Sequence, residues 1–207
     1  MANPADNWKR KREKSRHLEV HLVHHCNLNC AGCSHFSPSA DTWFADIGSY
    51  KKDIERLKEI NFLDKLTYIH LMGGEPLLNK NYNEFISETR KIYKGPIKLS
   101  TNGILLPVND KQEEKKKFWR TAKKAGILIH LSWYPPLKEE AVKNIKKMAK
   151  KHGVKLKVKE KPKMRGPGFK LNAPYDAEKN FNQCPVSVCT NLVAGNLYTC
   201  APLAYAF

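Results

Sequence analysis

The sequence predicts an α/β fold built on parallel strands. Three observations carry that expectation. Short strand-like and longer helix-like hydrophobic patterns alternate about five times along the chain. Two of the helical segments stop at glycines, and a hairpin signature appears only after the alternation has ended.

Taken in order, His17 to Val23 (HLEVHLV) alternates every second residue, as a half-buried strand does. Ser49 to Ile60 places Ile54, Leu57 and Ile60 on one helical face. Leu66 to Met72 reads as a second strand, followed by a turn and a helix over Asn83 to Tyr93. Ile97 to Ser100 is a third strand, and the helix DKQEEKKKFWRTAKKAG closes at Gly126. Ile127 to Trp133 and Val154 to Lys159 flank a fourth helix ended by Gly153. Parallel strands joined by right-handed crossovers follow from this order. An open doubly wound sheet and a partial barrel both satisfy it, and in either one functional residues gather at the carboxyl ends of strands.

The alternation ends near Lys161. The stretch KPKMRGPGFKLNAPYDAEKNFNQ reads as an irregular connection, and beyond it TNLVA and LYTCA flank Gly195-Asn196, a two-residue hairpin turn by sequence. The organisation expected is a basic tail over 1–17, a core over 18–160, and a connection plus cysteine-containing segment over 161–207.

A chain of 207 residues with 41% hydrophobic residues can bury a core, and no apolar run is long enough to span a bilayer. The basic N-terminus lacks the apolar stretch of a secretion signal, so a cytoplasmic location without membrane contact is expected, with reduced cysteines. The net charge of +17 raises a nucleic-acid partner. The lysines, however, spread over helix faces, and only Lys9 to Arg16 forms a compact block, so that partner is not favoured.

The cysteines form two groups, Cys26, Cys30, Cys33 and Cys184, Cys189, Cys200, with about 150 residues between them. Odd counts and a reducing compartment argue against disulfides. A c-type haem needs histidine directly after the second cysteine of a C-x-x-C, and Ser34 follows Cys33. A zinc site using His35 as fourth ligand and an iron–sulfur cluster both remain. Three thiolates on a four-iron cluster leave one iron open to a small molecule.

The loop CNLNCAGC resembles the C-x3-C-x-Φ-C signature of the radical S-adenosylmethionine (SAM) enzymes, with two further landmarks in order. GGEP (Gly73, Gly74, Glu75) follows the second strand, where the family holds the methionine amino group of SAM. STNG, with Ser100 and Asn102, ends the third strand, and Ser132 ends the fourth. The resemblance implies a partial (β/α)6 TIM-like barrel with a small C-terminal cysteine-containing hairpin. It also implies a SAM-binding 4Fe-4S cluster at Cys26, Cys30 and Cys33, and reductive cleavage of SAM to a 5′-deoxyadenosyl radical that abstracts hydrogen from substrate. The family's usual aromatic at Φ is replaced by Gly32, and His35 or Phe36 is expected to pack there instead.

Gly195 followed by Cys200 resembles the opening of the SPASM and twitch extensions, which implies an auxiliary 4Fe-4S cluster at Cys184, Cys189 and Cys200. The expected substrate is a peptide or small metabolite, with an electron donor such as flavodoxin or ferredoxin. RNA or nucleotide modification is the first alternative, and a zinc-stabilised, non-enzymatic binding module is the second. Tyr134, Tyr198 and His130 fall near strand ends, where packing is their ordinary role.

Overall fold

Apolar residues at every second strand position and at helical spacing between strands meet on one side of a single sheet. The computed structural model describes residues 16–37, 39–160, 176 and 189–205. In chain order the elements are β1 (His17–His21), α1 (Ile47–Glu59), β2 (Tyr68–Met72), α2 (Tyr82–Ile92), β3 (Ile97–Thr101) and α3 (Glu113–Ala125). They continue with β4 (Leu128–Trp133), α4 (Glu139–His152), β5 (Lys155–Glu160), β6 (Cys189–Val193), β7 (Asn196–Tyr198) and α5 (Ala201–Ala204).

The sheet runs β5-β4-β3-β2-β1-β6-β7. Every pairing is parallel except that of β6 with β7. The sheet does not close, which fits a partial barrel, and it has six parallel strands. The sixth does not follow β5, however. β6 pairs with β1, so the hairpin expected as an extension is continuous with the main sheet. The reason lies in its side chains: Cys189, Asn191, Leu192 and Val193 are all buried, as an interior strand requires.

One face of the sheet holds the core. Leu18, Val20, Ile69, Leu71, Leu99 and Ile129 pack against helix residues such as Ile54, Phe85, Phe118 and Ile145. Each such side chain, fully buried, contributes about 1.5–3 kcal/mol. Tyr50 on α1 and Thr89 on α2 share a buried 2.6 Å hydrogen bond that fixes the two helices together.

Element boundaries follow local chemistry. α1 begins before Ser49 because Asp46 caps it, accepting the Ser49 N–H at 2.7 Å. β2 begins at Tyr68 because a short 3-10 turn, Leu63–Lys65, takes up the preceding chain. Gly126 and Gly153 end α3 and α4 in left-handed conformation, as expected. The hairpin turn lies one residue earlier than expected: Ala194 and Gly195 carry φ of +48° and +78°, and Asn196 already pairs with Val193. Two successive positive φ values suit the right-handed twist of a tight hairpin. The basic block before Arg16, the irregular connection (Asp176 excepted) and Cys184 lie outside the described residues.

Candidate functional site

Loops leaving the carboxyl ends of β1, β2, β3 and β4 converge on one cavity of about 230 Å³. Cys26, Cys30 and Cys33 line it from the loop after β1. Gly73 and Gly74 line it after β2, Ser100 and Asn102 at the end of β3, and Ser132 with Tyr134 at the end of β4. The structure thus brings together all three cysteines of the first group and the residues named from the second, third and fourth strand ends, with one exception, Glu75.

The cysteine loop is fastened to β2 through backbone. Gly74 N–H donates to the Val23 carbonyl at 2.8 Å, and Glu75 N–H to the His25 carbonyl at 3.0 Å. A Cβ on Gly74 would lie 2.1 Å from the His25 oxygen, and one on Gly73 would lie 2.3 Å from the Val23 oxygen. Gly73 also carries a φ of +143°. Any side chain at either position would therefore push the two loops apart. The glycine pair is required by loop-to-loop contact.

Glu75 is fully buried and does not line the cavity. Its carboxylate accepts from the Thr101 hydroxyl at 2.8 Å, the Asn102 N–H at 2.8 Å and the Leu77 N–H at 3.2 Å. Burial raises its pKa to about 7 against the pull of those donors. Glu75 is thus a brace between the β2 and β3 loops. It fixes the backbone of Asn102, whose amide donates to Asn27 Oδ1 at 2.7 Å and reaches within 3.8 Å of Cys26 Sγ. Thr101 and Asn27 were not singled out by sequence, although both sit inside the quoted motifs.

The three thiols oppose one another's ionisation. Burial raises the pKa of Cys26, with further contributions from Glu75, Cys30 and Cys33. Burial and then Cys33 raise that of Cys30. Cys33 is also raised by burial, but hydrogen bonds from the His35 side chain and from the Ser37 and His35 backbone outweigh this and bring it to about 7. Soft donors that repel when charged, gathered around one cavity, suit a polynuclear thiolate-bound metal group. A single zinc ion with Zn–S bonds of about 2.3 Å needs sulfurs within about 3.8 Å of one another. Among the described residues, the donor sets that close to within 4.8 Å are His17, Glu19, Cys189 and Glu19, His21, His35; the three cysteines are not among them. The wider spacing fits a cluster better than one ion.

His35 lines the cavity, and its ring lies 5.3 Å from that of His21 in a tilted arrangement. Phe36 is outside the cavity lining and 36% exposed. Behind His35, His21 Nδ1 meets the Tyr205 hydroxyl at 2.7 Å. Asn191 donates to His21 Nε2 at 2.8 Å and to Glu19 at 2.9 Å, and accepts from the Ala201 N–H at 3.2 Å. With its ring nitrogens so engaged, His21 is held neutral; burial, then His35, lowers its pKa to about 3. This network closes the β1–β6 side of the site.

The second cysteine group is divided. Cys184 lies outside the described residues. Cys189 is buried at the amino end of β6, opposite His17, and Cys200 precedes α5. The hairpin pairing ends at Asn191 and Tyr198, and the Cys189 sulfur lies with the side chains of His17 and Glu19.

Residues 20–134, more than half of the chain, match the family model described as the Radical SAM superfamily. The chain belongs to that superfamily. Membership turns the reading away from a zinc-stabilised, non-enzymatic module. Among curated proteins, the chain is 32% identical over 91 residues to a probable GTP 3',8-cyclase of Thermoplasma volcanium, covering 44% of this chain and 27% of that protein. It is 36% identical over 93 residues to a GTP 3',8-cyclase of Synechocystis sp., again 44% of this chain and 27% of that protein. The chain therefore spans little more than a quarter of the length of these curated radical SAM relatives. Among solved structures, BtrN in complex with AdoMet and 2-DOIA superposes with a TM-score of 0.62 at 21% identity, covering 91% of this chain and 74% of that one. That likeness shows the fold. No described helix is long and apolar enough to cross a membrane.

Proposed function

We propose that the chain is a radical SAM enzyme in which Cys26, Cys30 and Cys33 hold a 4Fe-4S cluster and the adjoining cavity holds SAM. When bound, the two together supply one-electron cleavage of SAM and hydrogen abstraction from a substrate. The observation that carries this reading is the convergence of those three thiols with the β2, β3 and β4 strand ends on one cavity.

The chain's own residues have separate tasks. Gly73 and Gly74 bring the β2 loop against the cysteine loop and leave backbone polar groups facing the site. Ser100 and Ser132 offer hydroxyls, and Asn102 offers its amide, for the polar parts of SAM. Glu75 acts through Asn102 by holding its N–H. His25, Asn29 and Ala31 are exposed on the cysteine loop and offer the approach for a small electron donor of the flavodoxin or ferredoxin type.

The substrate favoured is a small molecule, because the polar face of the sheet below the cavity is half-buried and lined by His70, Ser100 and His130. A nucleotide is the second reading, supported by the names of the curated relatives. An auxiliary cluster at Cys184, Cys189 and Cys200 is supported by the resemblance of Gly195 and Cys200 to the opening of the SPASM and twitch extensions. Oxygen-sensitive thiolate chemistry favours the cytoplasm, and residues 18–160 would form the catalytic core.

Metal and sulfide analysis of anaerobically reconstituted protein tests the assignment. About four irons per chain are expected from the first group, or about eight if both form clusters. Stoichiometric zinc without iron would remove the reading.

A further inference from the structure

Lys98 and Lys157 lie on the inner face of the sheet below the cavity, and the chemistry assigned above leaves them unused. Strand pairing sets Glu19, His70, Lys98 and Leu128 in one row across β1 to β4. The next row towards the cavity holds Ser100, His130 and Lys157 across β3 to β5. The Lys98 ammonium lies 3.2 Å from the centre of the Tyr68 ring, half-buried. Burial and then the charge of Lys157 lower its pKa. Burial, then Lys98 and Lys157, also disfavour protonation of His130.

Among the described residues, neither Lys98 nor Lys157 lies within ion-pair distance of a carboxylate. Glu19, the acid in the lower row, bonds to His17 at 3.3 Å and to Asn191 at 2.9 Å. Glu160, at the end of β5, alternates onto the other face with Leu156 and Val158. Positive groups on one face of a sheet, one of them half-buried, are costly until an anion joins them.

Ser100 lines the cofactor cavity, and Lys98 lies two residues below it on the same strand face, a step of about 7 Å. We infer that Lys98, Lys157 and His130 anchor a phosphoryl group of a small-molecule substrate, one such step below the cofactor cavity. Two ammonium groups and an imidazole N–H supply both charge and donors to a dianion with several acceptor oxygens. These three residues are on the inner face, away from the lysine-rich helices that would meet a polymer. The inference rests on the proposed function only for the identity of the cavity above.

Calorimetric titration of the cluster-reconstituted protein with inorganic pyrophosphate tests the anchor. Wild type is expected to bind. Lys98→Gln and Lys157→Gln should each weaken binding about tenfold or more, Lys98→Arg should restore most of it, and Lys147→Gln on the exposed face of α4 should change nothing. Absent binding in wild type, or equal binding in wild type and both Gln variants, overturns the anchor. Displacement of pyrophosphate by a short single-stranded RNA overturns the small-molecule source. Formation of 5′-deoxyadenosine from SAM by wild type is measured alongside. Its absence with lysine-dependent pyrophosphate binding retained removes the SAM assignment and leaves the anchor standing; the converse result removes the anchor alone.

Discussion

The first cysteine group and Cys189 lie at opposite ends of one strand, β1. Cys26, Cys30 and Cys33 follow the carboxyl end of β1, while Cys189 sits opposite His17, the first residue of that strand. The first group faces a cavity shared by four strand ends. Cys189 instead is buried in β6, and its neighbours are the histidine and glutamate side chains of β1. With three cysteines each, the two groups look alike by count. What separates the first group from Cys189 is the backbone around them: glycines let a second loop press against the first group, whereas Cys189 is part of a paired strand.

The largest effect expected is at the first group. Cys30→Ala should reduce SAM-dependent 5′-deoxyadenosine formation to background, read by chromatography of the reaction products. Retained formation would break the contrast between the two groups outright. Gly74→Ala comes next. Its methyl group would meet the His25 carbonyl at 2.1 Å and displace the cysteine loop. A loss of about 100-fold in SAM cleavage is expected, the scale of a misplaced reacting group, together with weakened iron–sulfur absorbance.

Acid should act on the histidine network between the groups. Burial, first of all, lowers His21 to about 3 and His70 to about 4. Unfolded histidines titrate near 6.5, so the unfolded chain takes up protons that the folded chain refuses as pH falls below that value. The stabilising contribution is therefore complete above about pH 6.5 and decreases towards pH 3–4; by pH 5 the loss is about 2 kcal/mol per histidine. Chemical denaturation at pH 7.5 and pH 5 measures it, and His21→Asn should flatten the dependence.

Glu75→Gln has a smaller expected effect. An amide keeps one oxygen for the Thr101 hydroxyl and Leu77 N–H but turns its NH2 against the Asn102 N–H, costing about 1–3 kcal/mol. A rise in the KM for SAM with little loss of folded protein would show that the brace acts through Asn102. Smallest for the first site is Cys200→Ala: iron per chain should fall towards about four with the first cluster's spectrum intact.

Much of the fold was legible because the strands and helices carry unambiguous periods. The β2 and β4 segments and the glycine stops at Gly126 and Gly153 reproduce the expected order to within two residues. The place of β6 was not legible, because pairing with β1 is a contact across about 170 residues that no local pattern encodes. The site was legible where a motif specifies backbone, as in the cysteine loop and the Gly73-Gly74 pair. It was less so at Glu75, where a carboxylate in a cofactor motif turns out to serve the protein's own N–H groups. The polar alternation of β1 to β4 was also ambiguous. Sequence alone assigns such positions to a solvated face, whereas here they line the inside of a partial barrel.

The central claim is that three thiols hold a cluster with one iron left for SAM. Electron paramagnetic resonance of the dithionite-reduced, reconstituted protein tests it most directly. Addition of SAM should change the g values of the cluster signal in wild type, and an identical spectrum with and without SAM would contradict the account.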